Sequence, residues 1–199
     1  MVNVDLFVED QAHELFASAA IKRIFAEEGA QYELNVRNAV GGHGRAITGF
    51  RTYQRAIERG TLPLVRPDLL VVMIDANCRG VARARQDIQD EVHDGIASDI
   101  VIACPDPHIE RWLFADPQAF RDVVGTGVQP GKRKCERDVY KTMLKKAVTE
   151  AGHMPTLGGL EFTEDIVGEM DIHRAIDNEP SLRPLLEGIR GVATRNADN

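Results

Sequence analysis

The sequence predicts an α/β fold in which a parallel sheet of about four strands is flanked by helices, followed by a helical carboxyl-terminal extension. Three observations lead there. Short apolar, strand-like stretches alternate with helix-length stretches over the first two-thirds of the 199 residues, the pattern of repeated β-α units. The run Leu69-Leu70-Val71-Val72-Met73-Ile74 is apolar without a break, as suits a parallel strand covered on both faces. Beyond about Gly125 the strand signals stop and only helical patterns remain.

In chain order, Val2 to Val8 reads as a short apolar strand, and Gln11 to Glu28 as a helix. Leu15, Ala19 and Ile21 to Phe25 form the helix face turned to a sheet, and Gly29 offers a C-cap. Tyr32 to Val36 is a second strand. The turn Gly41-Gly42-His43-Gly44 leads into a helix that ends near Arg59, where Gly60 stops it. Leu69 to Ile74 is the third strand, Gly80 to His93 a polar helix, and Asp99 to Cys104 the fourth strand. Ile109 to Phe114 opens another helix. A loop follows from Gly125 to Gly131, then a basic helical stretch from Lys132 to Ala151 broken by Gly152 to Gly159. Helical patterns over Glu161 to Ile176 and Pro180 to Val192 precede a polar tail, TRNADN, expected to fray. Residues 1–125 are thus expected to form the α/β core, with 126–199 a helical extension packed on it rather than a second domain. The length is ample for one core and short for two.

Composition bounds the function. A content of 43% hydrophobic and 28% charged residues is ordinary for a globular protein. A net charge of -7 argues against a passive coat for nucleic acid, which needs many cationic contacts to phosphate. It leaves room for an enzyme that meets nucleic acid through a local basic patch and a metal-loaded acidic site. Cys78, Cys104 and Cys135 are widely spaced, odd in number and without a CxxC pair, so neither a zinc ribbon nor a disulfide framework is indicated. The opening MVNVDLFVED reads as a strand carrying acids rather than as a secretory leader, and no apolar run approaches the ~20 residues of a membrane span. A soluble, cytoplasmic protein without a membrane partner is expected.

Ligands of open parallel sheets bind beyond the carboxyl ends of the strands. Here the first strand ends in Val8-Glu9-Asp10, the third in Asp75-Ala76-Asn77, and the fourth in Cys104-Pro105-Asp106-Pro107-His108-Ile109-Glu110. Three strand ends therefore deliver acids to one edge, a set of hard oxygen ligands suited to Mg²⁺ or Mn²⁺ and phosphoester chemistry. Asp10 and Asp106 read equally well as caps of the helices that follow them. Glu9 and Asp75 do not, because each directly follows apolar strand residues, and a carboxylate there is costly unless paired or metal-bound.

These residues carry a resemblance. VNVDLFVED, a helix, a second βα unit and then LLVVMIDAN resemble the Toprim fold of topoisomerases, primases and OLD-family nucleases. That family's motif is a glutamate after the first strand and an Asp-x-Asp after the third, serving Mg²⁺-dependent phosphoryl transfer. Glu9 matches the glutamate and Asp75 the first aspartate, while Asn77 stands where the second aspartate is expected. The segment IACPDPHIERWLFAD is similar to one in RloB-like and related Toprim-like defence proteins, with Glu110 and Trp112 matching their Glu and Trp. The resemblance spans roughly residues 2–115. It implies a metal-dependent nuclease acting on DNA or RNA in bacterial anti-phage defence, beside an ABC-type ATPase. Glu9 would act as general acid/base or metal ligand, Asp75 and Asn77 would bind Mg²⁺ or Mn²⁺, and Glu110 would complete the shell, so that Glu9, Asp75 and Glu110 form the catalytic set.

Lys132, Arg133, Lys134, Arg137, Lys141, Lys145 and Lys146 form a dense basic stretch. On a continuous helix Arg133, Arg137 and Lys141 share a face that suits either solvent or a phosphate backbone, to which Arg79, Arg83 and Arg85 could add. His108 and His43 titrate near neutral pH and are candidates for proton transfer, His108 being the better placed. The GGHG turn reads either as a plain helix entry or as a backbone nest for phosphate. Cys104 reads as a small buried residue. Two alternatives stay open: a phosphohydrolase for small nucleotides, which would have a closed pocket, and a non-catalytic regulatory subunit in which Asn77 marks a decayed site.

Overall fold

A computed structural model describes residues 1–39, 43–60, 65–136 and 138–197. Strands β1 (Val2–Val8), β2 (Tyr32–Asn38), β3 (Leu69–Met73) and β4 (Asp99–Ala103) form one sheet in the order β2-β1-β3-β4. Every neighbouring pair is parallel, with Val8 opposite both Asn38 and Met73, and Met73 opposite Ala103. The chain therefore winds outward from β1 to β2, then crosses to build β3 and β4 on the other side. The winding reverses between β1 and β3, and the carboxyl edge there is where open α/β sheets bind ligands.

Side-chain alternation explains the layers. Val2, Val4, Leu6 and Val8 of β1 point to one face, with Leu69, Val71 and Met73 of β3 and Val101 and Ala103 of β4. The helix α1 (Gln11–Glu28) covers them with Phe16, Ala17, Ala20, Ile21 and Ile24. Phe7, Leu70, Val72, Ile74 and Ile102 point to the other face, beneath Phe50 and Tyr53 of α2 (His43–Glu58) and Ala84 and Ile88 of α3 (Val81–Gln89). Strand β3, between β1 and β4, is buried along its whole length, which is why its sequence shows no polar alternation.

The carboxyl-terminal third supplies part of this core. After a 3-10 turn at Ile109–Phe114 come α4 (Pro117–Val124), α5 (Val139–Glu150), α6 (Thr163–Glu169), α7 (Ile172–Asn178) and α8 (Arg183–Asn196). Helix α8 lies beside α1 and covers β4, so the two roof one face as α2 and α3 roof the other. The approach is close at Gly188, where a Cβ would stand 2.6 Å from Val101 Cγ2. Gly188→Ala should therefore destabilise by about 1–3 kcal/mol through overpacking, although alanine is the better helix former by ~1 kcal/mol. In a Val101→Ala background the sign should reverse. Thermal melts of the four proteins check this, and additivity of the two changes would refute the contact.

Several boundaries differ from the sequence expectation for identifiable reasons. Lys132 to Ala151 is not one helix: helix α5 starts only at Val139, because Asp138 is left-handed (φ 59) and residues 132–136 run without regular structure. The pattern over Glu161 to Ile176 splits at Met170 and Asp171. There the fully buried Asp116 accepts the Asp171 N–H at 2.8 Å and both Arg174 Nε and Nη2, fixing the break. The segment from Ile109 is a 3-10 turn, and the α-helix after it begins anew on the Asp116 cap. The tail does not fray at Thr194, since Thr194 bonds to Glu28, Arg195 pairs with Asp99, and α8 continues to Asn196. The second strand runs two residues further, to Asn38. Among the described residues no helix is long and apolar enough to cross a membrane.

Candidate functional site

The strand register brings the two anchor acids together. Glu9 follows β1 directly, its N–H held by the Met73 carbonyl, and Asp75 lies two residues past β3. The Glu9 carboxylate accepts the Asp75 backbone N–H at 3.1 Å. Both are buried at 8% exposure, so neither is a solvated surface acid. Asp10 is the N-cap of α1, accepting the N–H groups of Ala12 and His13. Asp106 caps no helix among the described residues. It pairs with Arg133 at 2.7 Å, and the following turn has no side-chain cap.

Asp75 sits between two imidazoles. His13 Nε2 lies 3.0 Å from one carboxylate oxygen, and His108 Nδ1 lies 3.1 Å from the other. His13 is fully buried, and its Nδ1 meets Asp10 at 2.7 Å. Burial opposes charging His13, but carboxylates at both ring nitrogens overcome it and raise its pKa to about 10. Both ring nitrogens of this imidazolium donate. Burial likewise works against the Asp75 anion, yet the His13 charge and the hydrogen bonds from both histidines hold its carboxyl below the usual range. His108 is raised in turn, chiefly by its bond to Asp75.

Glu110 reaches the same cleft from the 3-10 turn. It is 2% exposed, its Oε1 has no hydrogen-bond partner among the described residues, and Lys141 Nζ stands 3.6 Å away. Burial pushes Glu110 and Glu9 up, against the pull of Lys141 and His13 respectively. Asn77 has a left-handed backbone (φ 46) and lines the cleft, its N–H bonded to Pro107 O and its amide nitrogen donating to Asp75 O. The whole is a cleft of about 600 Å³ bounded by Glu9, Asp10, Asp75, His108, Glu110 and Lys141, with Asn77, Cys78, Cys135, Asp138 and Tyr140. That volume suits a nucleotide-sized ligand.

The geometry divides the residues expected from the sequence. Glu9, Asp75, Asn77, His108, Glu110 and Lys141 come together. Lys132, Arg133 and Lys134 do not line the cleft. All three are exposed, Arg133 being paired with Asp106, and they share no helix with Lys141 because helix α5 begins after them. Arg137 and the Gly41-Gly42 part of the GGHG turn lie outside the described residues, as does the side chain of His43. Arg79 pairs with Asp87, and Arg83 and Arg85 are exposed. Trp112 is core, donating to Ser181 Oγ. Cys104 is buried, its thiol pushed up to about 12 by burial.

Two features escaped the sequence. His13 joins Glu9 and Asp75 in one buried cluster, a carboxylate oxygen or ring nitrogen of each lying within 4.8 Å of the others. Its signal was its position one turn after Glu9-Asp10. The other is a disulfide between Cys78 and Cys135, where no pairing was expected; fold proximity brings together residues 57 apart in sequence.

Fold and site together define an open, all-parallel α/β protein with a buried acid–histidine cluster at the point where its winding reverses. Residues 8–190 match the DUF4276 domain, and the chain belongs to that family, described as a domain of unknown function. No curated protein and no solved structure matches the chain significantly.

Proposed function

We propose that this protein is a Mg²⁺- or Mn²⁺-dependent phosphoesterase whose substrate is a phosphodiester of DNA or RNA. The observation that carries the reading is the convergence of Glu9, Asp75 and Glu110 from three strand ends into one buried cleft, with Glu110 Oε1 lacking a hydrogen bond among the described residues. The donor set fits a divalent cation. Four buried or half-buried acids, counting Asp10, face the cations His13, His108 and Lys141, and burial raises two of the acids toward neutrality. A bound cation would relieve that strain. Glu9 and Asp75 would hold the metal, with Asn77 and Glu110 completing the shell, and it would polarise the phosphoryl oxygens and acidify a water.

The chain's own groups supply the rest. Lys141 would balance charge on the phosphate, and His108, protonated against Asp75 and open to the cleft, would deliver a proton to the leaving oxygen. His13 would keep Asp75 ionised and oriented. With the Toprim resemblance, this reading extends to a cytoplasmic nuclease in anti-phage defence beside an ABC-type ATPase. A second reading, a phosphohydrolase for small nucleotides, is favoured by the absence of Lys132, Arg133 and Lys134 from the cleft's lining.

Purified protein in Mn²⁺, alone or supplemented with an ABC-type ATPase of the kind the resemblance implies, is expected to cleave plasmid DNA or tRNA. Glu110→Gln should slow cleavage by about 10²-fold, the scale for losing one preorganised charge contact. Release of phosphate from mononucleotides with no polynucleotide cleavage would transfer the assignment to the second reading. Inactivity on every substrate would overturn both.

A further inference from the structure

The disulfide joins the loop after β3 to a segment without regular structure. Cys78 lies just beyond the Asp75-Ala76-Asn77 loop, and Cys135 lies in residues 126–136, which contain neither helix nor strand. Both cysteines line the acid cleft, so the bridge forms part of its rim. Cys135 is exposed and Cys78 half-buried, so a reductant can reach the bond. Val128 anchors the start of the segment on the core, and its later residues are held by a partly exposed Arg133–Asp106 pair, the Lys134 N–H on the Tyr140 hydroxyl, and the Arg111 guanidinium on Gly131 O at 3.4 Å. Exposed ion pairs of this kind hold little. A disulfide's hold is much greater, because it removes the conformations in which the segments separate.

We propose that Cys78–Cys135 is a reversible redox latch on the cleft, opened by thiol–disulfide exchange with a dithiol reductant. A thiolate of the reductant attacks one sulfur, breaking the S–S bond and forming a mixed disulfide. The reductant's second thiol then displaces the remaining cysteine. The protein gains two electrons and two protons as two thiols, and the reductant leaves as its disulfide. Once released, residues 126–136 can move off the Asp75 loop, and Lys132, Arg133 and Lys134 become free to follow a phosphate backbone into the cleft. The latched state admits small phosphoesters and the open state a polynucleotide. This consequence for the substrate rests on the phosphoesterase reading; the latch does not.

The full-length protein is equilibrated in glutathione disulfide or in dithiothreitol, its thiols are alkylated and mapped, and trypsin cutting after Lys132, Arg133 and Lys134 is timed. In the oxidised form Cys78 and Cys135 should resist alkylation. Reduction should speed these cuts by at least about tenfold, as expected when a tethered segment becomes free to open. Cys135→Ser and Cys78→Ser should cut at the fast rate in both buffers. Cysteines 78 and 135 staying as free thiols under oxidation, or equal cutting rates in the two buffers, would overturn the latch. Affinity for a single-stranded oligonucleotide, measured alongside, should rise by about tenfold on reduction. If trypsin distinguishes the two forms but neither binds or cleaves a polynucleotide, the latch stands and the nuclease reading falls. If both forms cleave alike and trypsin cannot tell them apart, the nuclease reading stands and the latch falls.

Discussion

Asp75→Ala is expected to abolish divalent-metal binding and all phosphoesterase activity. Removing groups that merely support a ligand costs 10–100-fold in metal affinity, so loss of a direct ligand should cost at least about 100-fold. The same change strips a partner from His13 and from His108. Breaking a buried pair this way costs about 3–5 kcal/mol, so a loss of binding in the alanine variant could reflect lost structure. Asp75→Asn separates the two effects. Its amide oxygen can still accept from one imidazole, and the backbone N–H that Glu9 accepts is untouched. The asparagine variant should be more stable than the alanine variant, having kept one of the two hydrogen bonds, and should still bind Mn²⁺ at least about 100-fold more weakly by titration calorimetry. Wild-type affinity in Asp75→Asn, with the fold intact by circular dichroism, would remove Asp75 from the metal site and the proposed function with it.

The anchors of the site were legible because β-structure makes them so. An acid placed directly after an apolar strand cannot easily reach solvent, and parallel strands all present their carboxyl ends to one edge. Glu9 and Asp75 follow from those two rules, and the order β2-β1-β3-β4 puts their strands side by side. His13 was not legible, because a histidine on the apolar face of a helix reads as core until the fold sets Asp75 against its second nitrogen. The basic stretch was misread for a related reason. Helical spacing places Arg133 with Lys141, but the left-handed Asp138, the Tyr140 hydroxyl on the Lys134 N–H and the bridge at Cys135 all hold residues 132–136 off the helix. Those contacts are long-range or concern a single backbone angle, and periodicity carries neither. The break at Asp171 is similar, being set by Asp116 far earlier in the chain.

The second large effect concerns His13 and pH. In the fold its pKa is about 10, above the ordinary 6.5, so its stabilising contribution is complete below about pH 6.5 and is lost as pH rises through 10. Asp10 is held at about 2, against an ordinary 3.8. Burial opposes this shift, and the His13 hydrogen bond and charge outweigh it; its contribution is present above about pH 3.8 and lost as pH falls through 2. The pair should therefore leave a plateau between about pH 4 and 6.5. On the alkaline side stability should fall, by up to about 1.4 kcal/mol per pH unit for one proton. The raised Glu9 and Glu110 also lower stability as pH rises, but from about pH 4.5 upward, where the unfolded carboxyls ionise first, so they tilt this plateau rather than steepen the alkaline limb. His13→Gln removes the imidazolium and leaves Asp10 and Asp75 facing a neutral amide inside the protein. It should cost about 3–5 kcal/mol at pH 6 and flatten the alkaline slope, because the proton that folded wild type keeps up to about pH 10, and that the unfolded chain has already lost, is no longer there. Urea denaturation in chelator at pH 6, 8 and 9.5 reads both quantities. Parallel pH dependence in wild type and His13→Gln would mean that the imidazole is neutral in the fold. Asp75 would then be held ionised by something other than His13, with the His108 imidazole at its other oxygen as the remaining candidate.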